Sequence, residues 1–258
     1  LARREGPILP LIAETGGLNA MVVDSTALPE QVIDDVIASA FQSAGQRCSA
    51  LRLLFLQEDV AGRMLAMLQG AMDELVVGDP ARPETDVGPV ISLRAASGLM
   101  QHVQRMAGSA RILKAVPLDA RHAAGSFVAP HLIELRSAAE LTNEQFGPLL
   151  HVVRYKASEL DDVLGAIRAS GYGLTLGVQT RLESTWQRVF AGTHVGNTYV
   201  NRNMVGAVVG VQPFGGSGLS GTGPKAGGPH YLLRFTSERT LTVNTTASGG
   251  NTSLLGAG

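Results

Sequence analysis

Apolar residues recur at helical spacing in several stretches of the chain, and each stretch predicts an amphipathic helix. These stretches are 29–41, 60–75, 93–106, 160–169 and 182–190. Nearly continuous apolar runs lie between them, as is typical of strands buried on both faces. These runs are 20–23, 51–57, 131–135, 149–155, 173–178 and 195–200. The alternation of strand and helix predicts a layered α/β fold with a mainly parallel sheet.

The two ends of the chain have a different pattern. An apolar, proline-flanked segment at 7–13 predicts a short strand. Residues 210–228 are dense in glycine, and 231–243 then has the pattern of one long strand. A strand at the end of a chain is suited to pair with another subunit or domain. We therefore expect a main domain at 1–228, followed by an oligomerisation strand and tail at 229–258.

Composition narrows the class of protein. The chain has 258 residues, 45% of them hydrophobic and 17% charged, which is typical of a soluble globular protein. Its net charge of −1 gives no field to attract nucleic acid or an anionic membrane. One cysteine excludes an internal disulfide and suits a reducing compartment, so we expect a cytoplasmic protein. The start at Leu1, without a leader, indicates a piece of a longer polypeptide.

The segment 43–49 contains Cys48, the one cysteine of the chain. It lies between a predicted helix and a predicted strand, and Gly45 is suited to end that helix. A thiol attacks as its thiolate, which oriented N–H groups and a neighbouring cation such as Arg47 favour. Cys48 is therefore a candidate nucleophile. The alternative is a small buried apolar residue.

Other motifs in the sequence lack the neighbouring elements or residues that their usual functions require. Residues 216–221 spell G-x-G-x-x-G, but no strand leads directly into them and Pro224 follows in place of a helix. A dinucleotide site needs both neighbours, so we reject that interpretation. The six histidines show no i, i+4 pairing and no clustering with carboxylates, so we expect no metal site. A Cys–His hydrolase is disfavoured because no histidine has an evident link to Cys48.

Several weak signals nevertheless occur together and in one order. They are Glu14-Thr15-Gly16-Gly17, Gly45-Gln46-Arg47-Cys48, the run Glu-Gln-Phe-Gly-Pro at 144–148 and the run Pro-Phe-Gly-Gly-Ser-Gly at 213–218. Each alone is ambiguous, but the ordered set resembles the catalytic half of the aldehyde dehydrogenase superfamily. Residues 43–52, 205–218 and 227–237 are most similar to the glutamate-semialdehyde (pyrroline-5-carboxylate) dehydrogenase domain of bifunctional proline-utilization enzymes.

The resemblance implies a covalent oxidation with NAD as cofactor. Cys48 is expected to attack the aldehyde carbon, with the oxyanion held partly by the backbone N–H of Cys48. Hydride then passes to the nicotinamide and leaves a thioester. Glu14 is expected to take a proton from the water that releases the acid. Glu144 is expected to hydrogen-bond the nicotinamide ribose, with Phe146 packing close by.

The resemblance also implies a pocket for the far end of the substrate. Ser49 and the backbone N–H groups near Gly206 and Ala207 are expected to bind the carboxylate, and Phe214 to cover the aliphatic part. Glycine at 206 lets the backbone approach an anion closely. The open alternatives are a simple turn at Gly206 and an ordinary core aromatic at Phe214.

For the whole polypeptide, the resemblance implies an upstream proline dehydrogenase domain with FAD, and a homo-oligomer. The family's N-terminal cofactor domain, with the asparagine that completes the oxyanion hole, has no counterpart here, so we expect the chain alone to be inactive. Leu18 replaces the family's usual lysine after the paired glycines, and Glu14 is retained. Two alternatives remain: a dehydrogenase for another aldehyde, or a non-catalytic interaction module that binds through its terminal strand.

Overall fold

Strands and helices alternate along residues 3–244, the part of the chain that this computed structural model describes. The helices are α1 Pro29–Phe41, α2 Glu58–Asp73, α3 Leu93–Ser109, α4 Leu160–Ala169 and α5 Glu183–Ala191. The strands are β1 Ala20–Val23, β2 Leu53–Gln57, β3 Arg111–Ala115, β4 His131–Glu134, β5 Leu149–Tyr155, β6 Tyr172–Gly173, β7 Thr175–Gln179, β8 Asn197–Val200 and β9 Ser217–Gly218. Short 3-10 segments occur at Gln42–Gly45, Ala120–Ala124, Ala138–Glu140, Ala157–Glu159 and Leu232–Phe235.

Seven of the strands form one sheet in the order β3-β4-β5-β2-β1-β7-β8. Every neighbouring pair is parallel except β3 with β4. Strand β1 lies inside the sheet between β2 and β7, and Ala20 is the register partner of Leu53 on one side and Leu176 on the other. Strands β6 and β9 form a separate antiparallel pair. The predicted α/β class with a mainly parallel sheet is confirmed.

The two faces of the sheet carry separate hydrophobic cores. Met21 and Val23 pack in the core that contains α1 and α2, whereas Ala20 and Val22 pack in the core that contains α4 and α5. All four residues of β1 are at most 2% exposed. Because helices cover both faces, β1 carries an apolar residue at every position, and its sequence lacks the alternation of a half-exposed strand.

The ends of the helices have local causes. Helix α1 begins at Pro29, where the missing N–H costs nothing because first-turn N–H groups have no partner within the helix. Helix α3 begins after Ser92, whose hydroxyl accepts the N–H of Ala95 at 3.2 Å. Helix α1 ends at Phe41, four residues before the predicted stop at Gly45, since the backbone turns left-handed at 43–45.

Two predicted strands are wrong. Residues 7–13 form no regular strand, and only Glu14 makes an isolated bridge, to Gly221. The tail at 231–243 forms a short 3-10 segment at Leu232–Phe235 and then continues without regular structure. A strand needs a neighbour for its N–H and C=O groups, and within the described residues the tail meets no free strand edge. Residues 245–258 lie outside the described residues, and the boundary at 228 stays a prediction.

A buried histidine pair links α3 to the sheet. Nε2 of His102 lies 2.8 Å from Nε2 of His151, and Nδ1 of His151 lies 3.2 Å from the carbonyl oxygen of Arg52. That carbonyl can only accept, so His151 donates through Nδ1 and accepts at Nε2 from His102. Burial is the main cause that lowers the pKa of His102 to about 4 and the pKa of His151 to about 3. Both rings are therefore neutral at pH 7.

We expect this pair to make the fold labile in acid. Unfolded histidines bind protons near their ordinary pKa of 6.5, whereas the folded rings do so only near 4 and 3. Between these values the unfolded state binds more protons, so the free energy of unfolding falls as the pH falls, by on the order of a few kcal/mol. Urea unfolding of the chain across this pH range measures the slope.

The variant His102→Gln should flatten that slope because one of the two titrating rings is removed. His230 is exposed, so His230→Gln serves as the matched control and should keep the slope. Equal slopes in the His102 variant and the unsubstituted chain would contradict the assignment.

Candidate active site

The candidate site lies at the amino-terminal edge of the parallel sheet. Asn19 directly precedes β1, Arg52 directly precedes β2 and Pro148 directly precedes β5. Because these strands are parallel neighbours, the segments that lead into them lie side by side. We call residues 45–49 the nucleophile loop and residues 144–147 the carboxylate loop. The fold therefore brings together two motifs that are about 100 residues apart in the sequence.

Unusual backbone geometry leads into the nucleophile loop. Ser43, Ala44 and Gly45 have φ angles of 55°, 54° and 64°, all in the left-handed region. Only glycine adopts that region without cost, so two of the three residues are strained. A Cβ added at Gly45 would lie 2.2 Å from the carbonyl oxygen of Gly147. The nucleophile loop is thus pressed against the carboxylate loop at a point where only glycine fits.

Asn19 fixes the backbone around Cys48. Its Nδ2 donates to the carbonyl oxygens of Cys48 at 2.7 Å and Ala50 at 2.9 Å, and its Oδ1 accepts the N–H of Thr175 at 3.2 Å. Asn19 is 3% exposed, so these are hydrogen bonds in a site screened from water. Asn19 was missed from the sequence because nothing local distinguishes it from an ordinary turn residue.

The environment of Cys48 raises the pKa of its thiol. Burial is the largest cause, and the carboxylates of Glu144 and Glu14 add to it. The backbone N–H groups of Ser49 and Cys48 oppose the shift by hydrogen bonding to sulfur. The expectation that the loop favours the thiolate is therefore wrong for this geometry, because burial disfavours the charged form and the two carboxylates add to that effect. The half-buried side chain rests as the thiol.

Glu144 lies against the glycine pair that follows Glu14. A Cβ added at Gly16 would lie 1.7 Å from Oε2 of Glu144, and the N–H of Gly17 donates to the same carboxylate. Burial raises the pKa of Glu144, while Arg52 and the Gly17 N–H oppose that shift. A side chain at position 16 would therefore displace the carboxylate of Glu144 from its present position.

Arg52 contacts both loops, and no sequence pattern had indicated a role for it. The residue is 0% exposed. Its guanidinium donates to the carbonyl oxygen of Gly147 at 3.1 Å, to that of Arg47 at 3.2 Å and to Oε1 of Glu144 at 3.4 Å. It also lies 5.3 Å from the centroid of the Phe146 ring. An arginine inside an apolar run was the one available signal, because charged residues are rarely buried without partners.

Glu14 is positioned by the glycine-rich segment 216–221. Glu14 forms an antiparallel bridge with Gly221, and the N–H of Thr15 donates to the carbonyl oxygen of Ser220 at 3.1 Å. The side chain of Glu14 is exposed, and its charge acts on Cys48. The segment that spells G-x-G-x-x-G thus supports a carboxylate, and no helix follows it to form a dinucleotide site.

The remaining predicted residues fall into two groups. Ser49 is 5% exposed, next to Cys48, and its carbonyl oxygen accepts the hydroxyl of Thr175 at 3.1 Å. Gly206, Ala207 and Phe214 lie on the segment after β8. In the described residues, no hydrogen bond or charge interaction joins these three to the nucleophile loop. Gly206 has a φ of +73° and open space around its Cα, which suits close approach of a ligand.

Within residues 3–244, no helix is both long enough and apolar enough to cross a membrane. The same residues contain no group of three or more His, Cys, Asp or Glu side chains arranged to hold a metal ion.

Comparison with known proteins adds independent evidence. Residues 2–241 match the profile of the aldehyde dehydrogenase family. The chain is 58% identical over 240 residues to "Bifunctional protein PutA" of Escherichia coli (strain K12), covering 91% of the chain and 18% of the relative. It is 37% identical over 233 residues to "1-pyrroline-5-carboxylate dehydrogenase" of Geobacillus kaustophilus, covering 90% of the chain and 44% of the relative. The chain thus spans about a fifth of the first relative and less than half of the second.

Solved structures give the same result. A crystal structure of bifunctional proline utilization A (PutA) superposes with a TM-score of 0.90 at 61% identity, covering 96% of this chain and 25% of that one. A 1-pyrroline-5-carboxylate dehydrogenase from Thermus with bound NAD superposes with a TM-score of 0.80 at 34% identity, covering 87% and 43%. The family expected from the ordered motifs is confirmed.

The contact between the two loops leads to a stability prediction. We expect Gly45→Ala to destabilise the fold by about 3 kcal/mol or more, because it adds a clash and a left-handed residue. Gly62 is a matched control, since it lies in α2 with nothing within 4 Å of an added Cβ. Gly62→Ala should stabilise the chain by about 0.5–1 kcal/mol. Chemical denaturation of both variants measures the difference, and equal effects would contradict the geometry.

Proposed function

Because the chain belongs to the aldehyde dehydrogenase family, we propose that it is the catalytic part of an NAD-dependent dehydrogenase. The substrate is L-glutamate 5-semialdehyde, formed from pyrroline-5-carboxylate, and the product is L-glutamate. The observation that carries the proposal is the meeting of one thiol with two carboxylates from separate loops, at Cys48, Glu14 and Glu144. The name of one relative, 1-pyrroline-5-carboxylate dehydrogenase, specifies this chemistry and supports the choice of substrate.

The residues of the carboxylate loop fit the nicotinamide end of NAD. The carboxylate of Glu144 can accept hydrogen bonds from ribose hydroxyls, and its side chain is 17% exposed, so it is reachable. Phe146 is 44% exposed beside it and offers an apolar surface to a ring. Bound NAD supplies the hydride acceptor of the reaction. The residues that bind the adenosine end are assigned to the rest of the polypeptide.

The first half-reaction takes place at Cys48. The half-buried thiol loses its proton to solvent water, and the sulfur attacks the aldehyde carbon to form a thiohemiacetal. The backbone N–H of Cys48, which already points at the sulfur, donates to the oxyanion. Departure of hydride from that carbon then converts the thiohemiacetal into a thioester. The hydrogen bonds of Asn19 hold the loop in place, so the N–H does not have to reorient during the reaction.

The second half-reaction takes place at Glu14. Its carboxylate accepts a proton from water, and the resulting hydroxide attacks the thioester carbon. The carbon–sulfur bond breaks, Cys48 leaves as thiolate and the carboxylic acid is released. The exposed position of Glu14 gives it access to water, and its bridge to Gly221 holds its backbone in place.

Ser49 and the backbone at Gly206 and Ala207 bind the substrate carboxylate in this proposal, and Phe214 covers the methylenes. The open space at Gly206 supports this role. In the whole polypeptide we propose a homo-oligomer in the cytoplasm, with an upstream proline dehydrogenase domain that uses FAD. The exposed apolar residues of the tail, such as Leu232 and Phe235, support burial against another domain or subunit.

Alkylation tests the nucleophile. In the intact enzyme, iodoacetamide should abolish activity in proportion to modification of Cys48, because the sulfur forms the covalent intermediate. The rate should rise through alkaline pH, since burial raises the pKa of the thiol. NAD or a substrate analogue should protect. Mass spectrometry locates the label, and full activity after complete labelling of Cys48 would end the proposal.

Substitution tests the base. Glu14→Gln should leave acylation of Cys48 intact and slow hydrolysis by about 100-fold or more, because the amide cannot take the proton from water. The progress curve should show a burst of NADH equal to the enzyme concentration, followed by a stall. Glu5→Gln is a matched control on an exposed glutamate of the same N-terminal segment. Unchanged steady turnover in the Glu14 variant would contradict its role.

A further inference from the structure

The guanidinium of Arg52 holds a peptide plane that contains a catalytic N–H. The carbonyl of Arg47 and the N–H of Cys48 belong to one planar peptide unit and point in opposite directions. Nη2 of Arg52 donates to that carbonyl at 3.2 Å. The same oxygen accepts the N–H of Ala50 at 3.0 Å. The two donors together set the direction of the N–H on the other side of the plane, where the sulfur of Cys48 lies.

The same guanidinium reaches the carboxylate loop. Nη2 also lies 3.4 Å from Oε1 of Glu144, and Nη1 donates to the carbonyl oxygen of Gly147 at 3.1 Å. The loops also touch directly, where Gly45 leaves no space for a Cβ against the oxygen of Gly147. A displacement of one loop is therefore transmitted to the other through a hydrogen-bonded group and a steric contact.

We propose that Arg52 is a positioning residue that aims the backbone N–H of Cys48 at the oxyanion and couples that aim to the carboxylate loop. The proposal rests on the function proposed above, in which Glu144 binds the cofactor. Cofactor binding at Glu144 and the orientation of the Cys48 N–H are then linked through the side chain of Arg52.

Arginine is specifically suited to this role. Three oxygen acceptors at separate positions require the planar, forked donors of a guanidinium, which a lysine ammonium on a flexible stem cannot match. Complete burial removes competition from water, and the ring of Phe146 covers the charge. The paired carboxylate of Glu144 keeps the buried cation from being stranded without a counter-ion.

The test uses Arg52→Lys in the full-length enzyme. We expect kcat to fall at least about tenfold, because the Cys48 N–H is no longer directed at the oxyanion. KM for NAD should rise because Glu144 loses its hydrogen bond from Arg52. The midpoint of the pH dependence of Cys48 alkylation should move upward. The charged groups that act on that thiol are Glu144 and Glu14, and Arg52 itself interacts with it.

Arg188→Lys is the matched control. Arg188 pairs with Asp161 at 2.7 Å on the surface, so all three quantities should stay at their wild-type values. A purely structural role for Arg52 would lower the thermal midpoint but leave kcat, KM for NAD and the alkylation midpoint unchanged. That result would overturn the proposal.

Glu144→Gln gives a second measurement if Arg52→Lys does not fold. Removing the carboxylate charge should lower the alkylation midpoint of Cys48, because that charge raises the pKa of the thiol. Where Arg52→Lys does fold, the effects of the two substitutions should not be additive in the double variant. An unchanged midpoint would overturn the coupling. Alkylation needs no turnover, so this failure differs from failure of the proposed function, which would appear as a Cys48→Ser variant that keeps its activity.

Discussion

The guanidinium of Arg52 is buried where two loops meet, and the site depends on the way its charge is satisfied. A buried cation that loses its partners costs about 3–5 kcal/mol, so the loops cannot separate without exposing or stranding it. The carbonyls of Arg47 and Gly147 and the carboxylate of Glu144 supply the partners. Glycine at 45 allows the approach that this arrangement needs. The need to satisfy the buried charge of Arg52 thus determines both the position of the two loops and the presence of glycine at 45.

The position of this cluster on the sheet is unusual for an open α/β fold. Ligands commonly bind beyond the carboxyl ends of parallel strands. At that edge of this sheet, the buried carboxylate of Asp24 accepts hydrogen bonds from Thr26 and Thr180, and Asn201 accepts the N–H of Thr180 at 2.9 Å. These bonds satisfy polar groups at the carboxyl ends of β1 and β7 with other protein groups. The candidate active site lies at the opposite, amino-terminal edge. The loops there lead directly into the buried strands β1, β2 and β5.

Features that depend on a local burial pattern could be predicted from the sequence, whereas contacts between distant residues could not. The bounds of β1 at 20–23, α1 at 29–41 and β5 at 149–155 were predicted correctly, because burial imposes a periodic or continuous apolar pattern. The tail at 231–243 has the apolar content of a strand whether or not a partner strand is present, so its sequence could not report the difference. Arg52 meets Glu144 across 92 positions, and no local pattern encodes such a contact. The roles of Cys48 and Glu14 came from the order of motifs and stay predictions.

The raised pKa of the Cys48 thiol follows from the proposed chemistry itself. A site that must hydrolyse a thioester needs a carboxylate near the sulfur, and a site that binds ribose hydroxyls through Glu144 needs a second one. Burial is the largest cause that disfavours the thiolate, and both charges add to it. The N–H groups of Cys48 and Ser49 oppose that effect by hydrogen bonding to the sulfur, and the cation of Arg52 also interacts with the thiol. The orientation of this backbone therefore governs how easily the thiol ionises, and it is set by the side chains of Asn19 and Arg52, which never touch the substrate in the proposed mechanism.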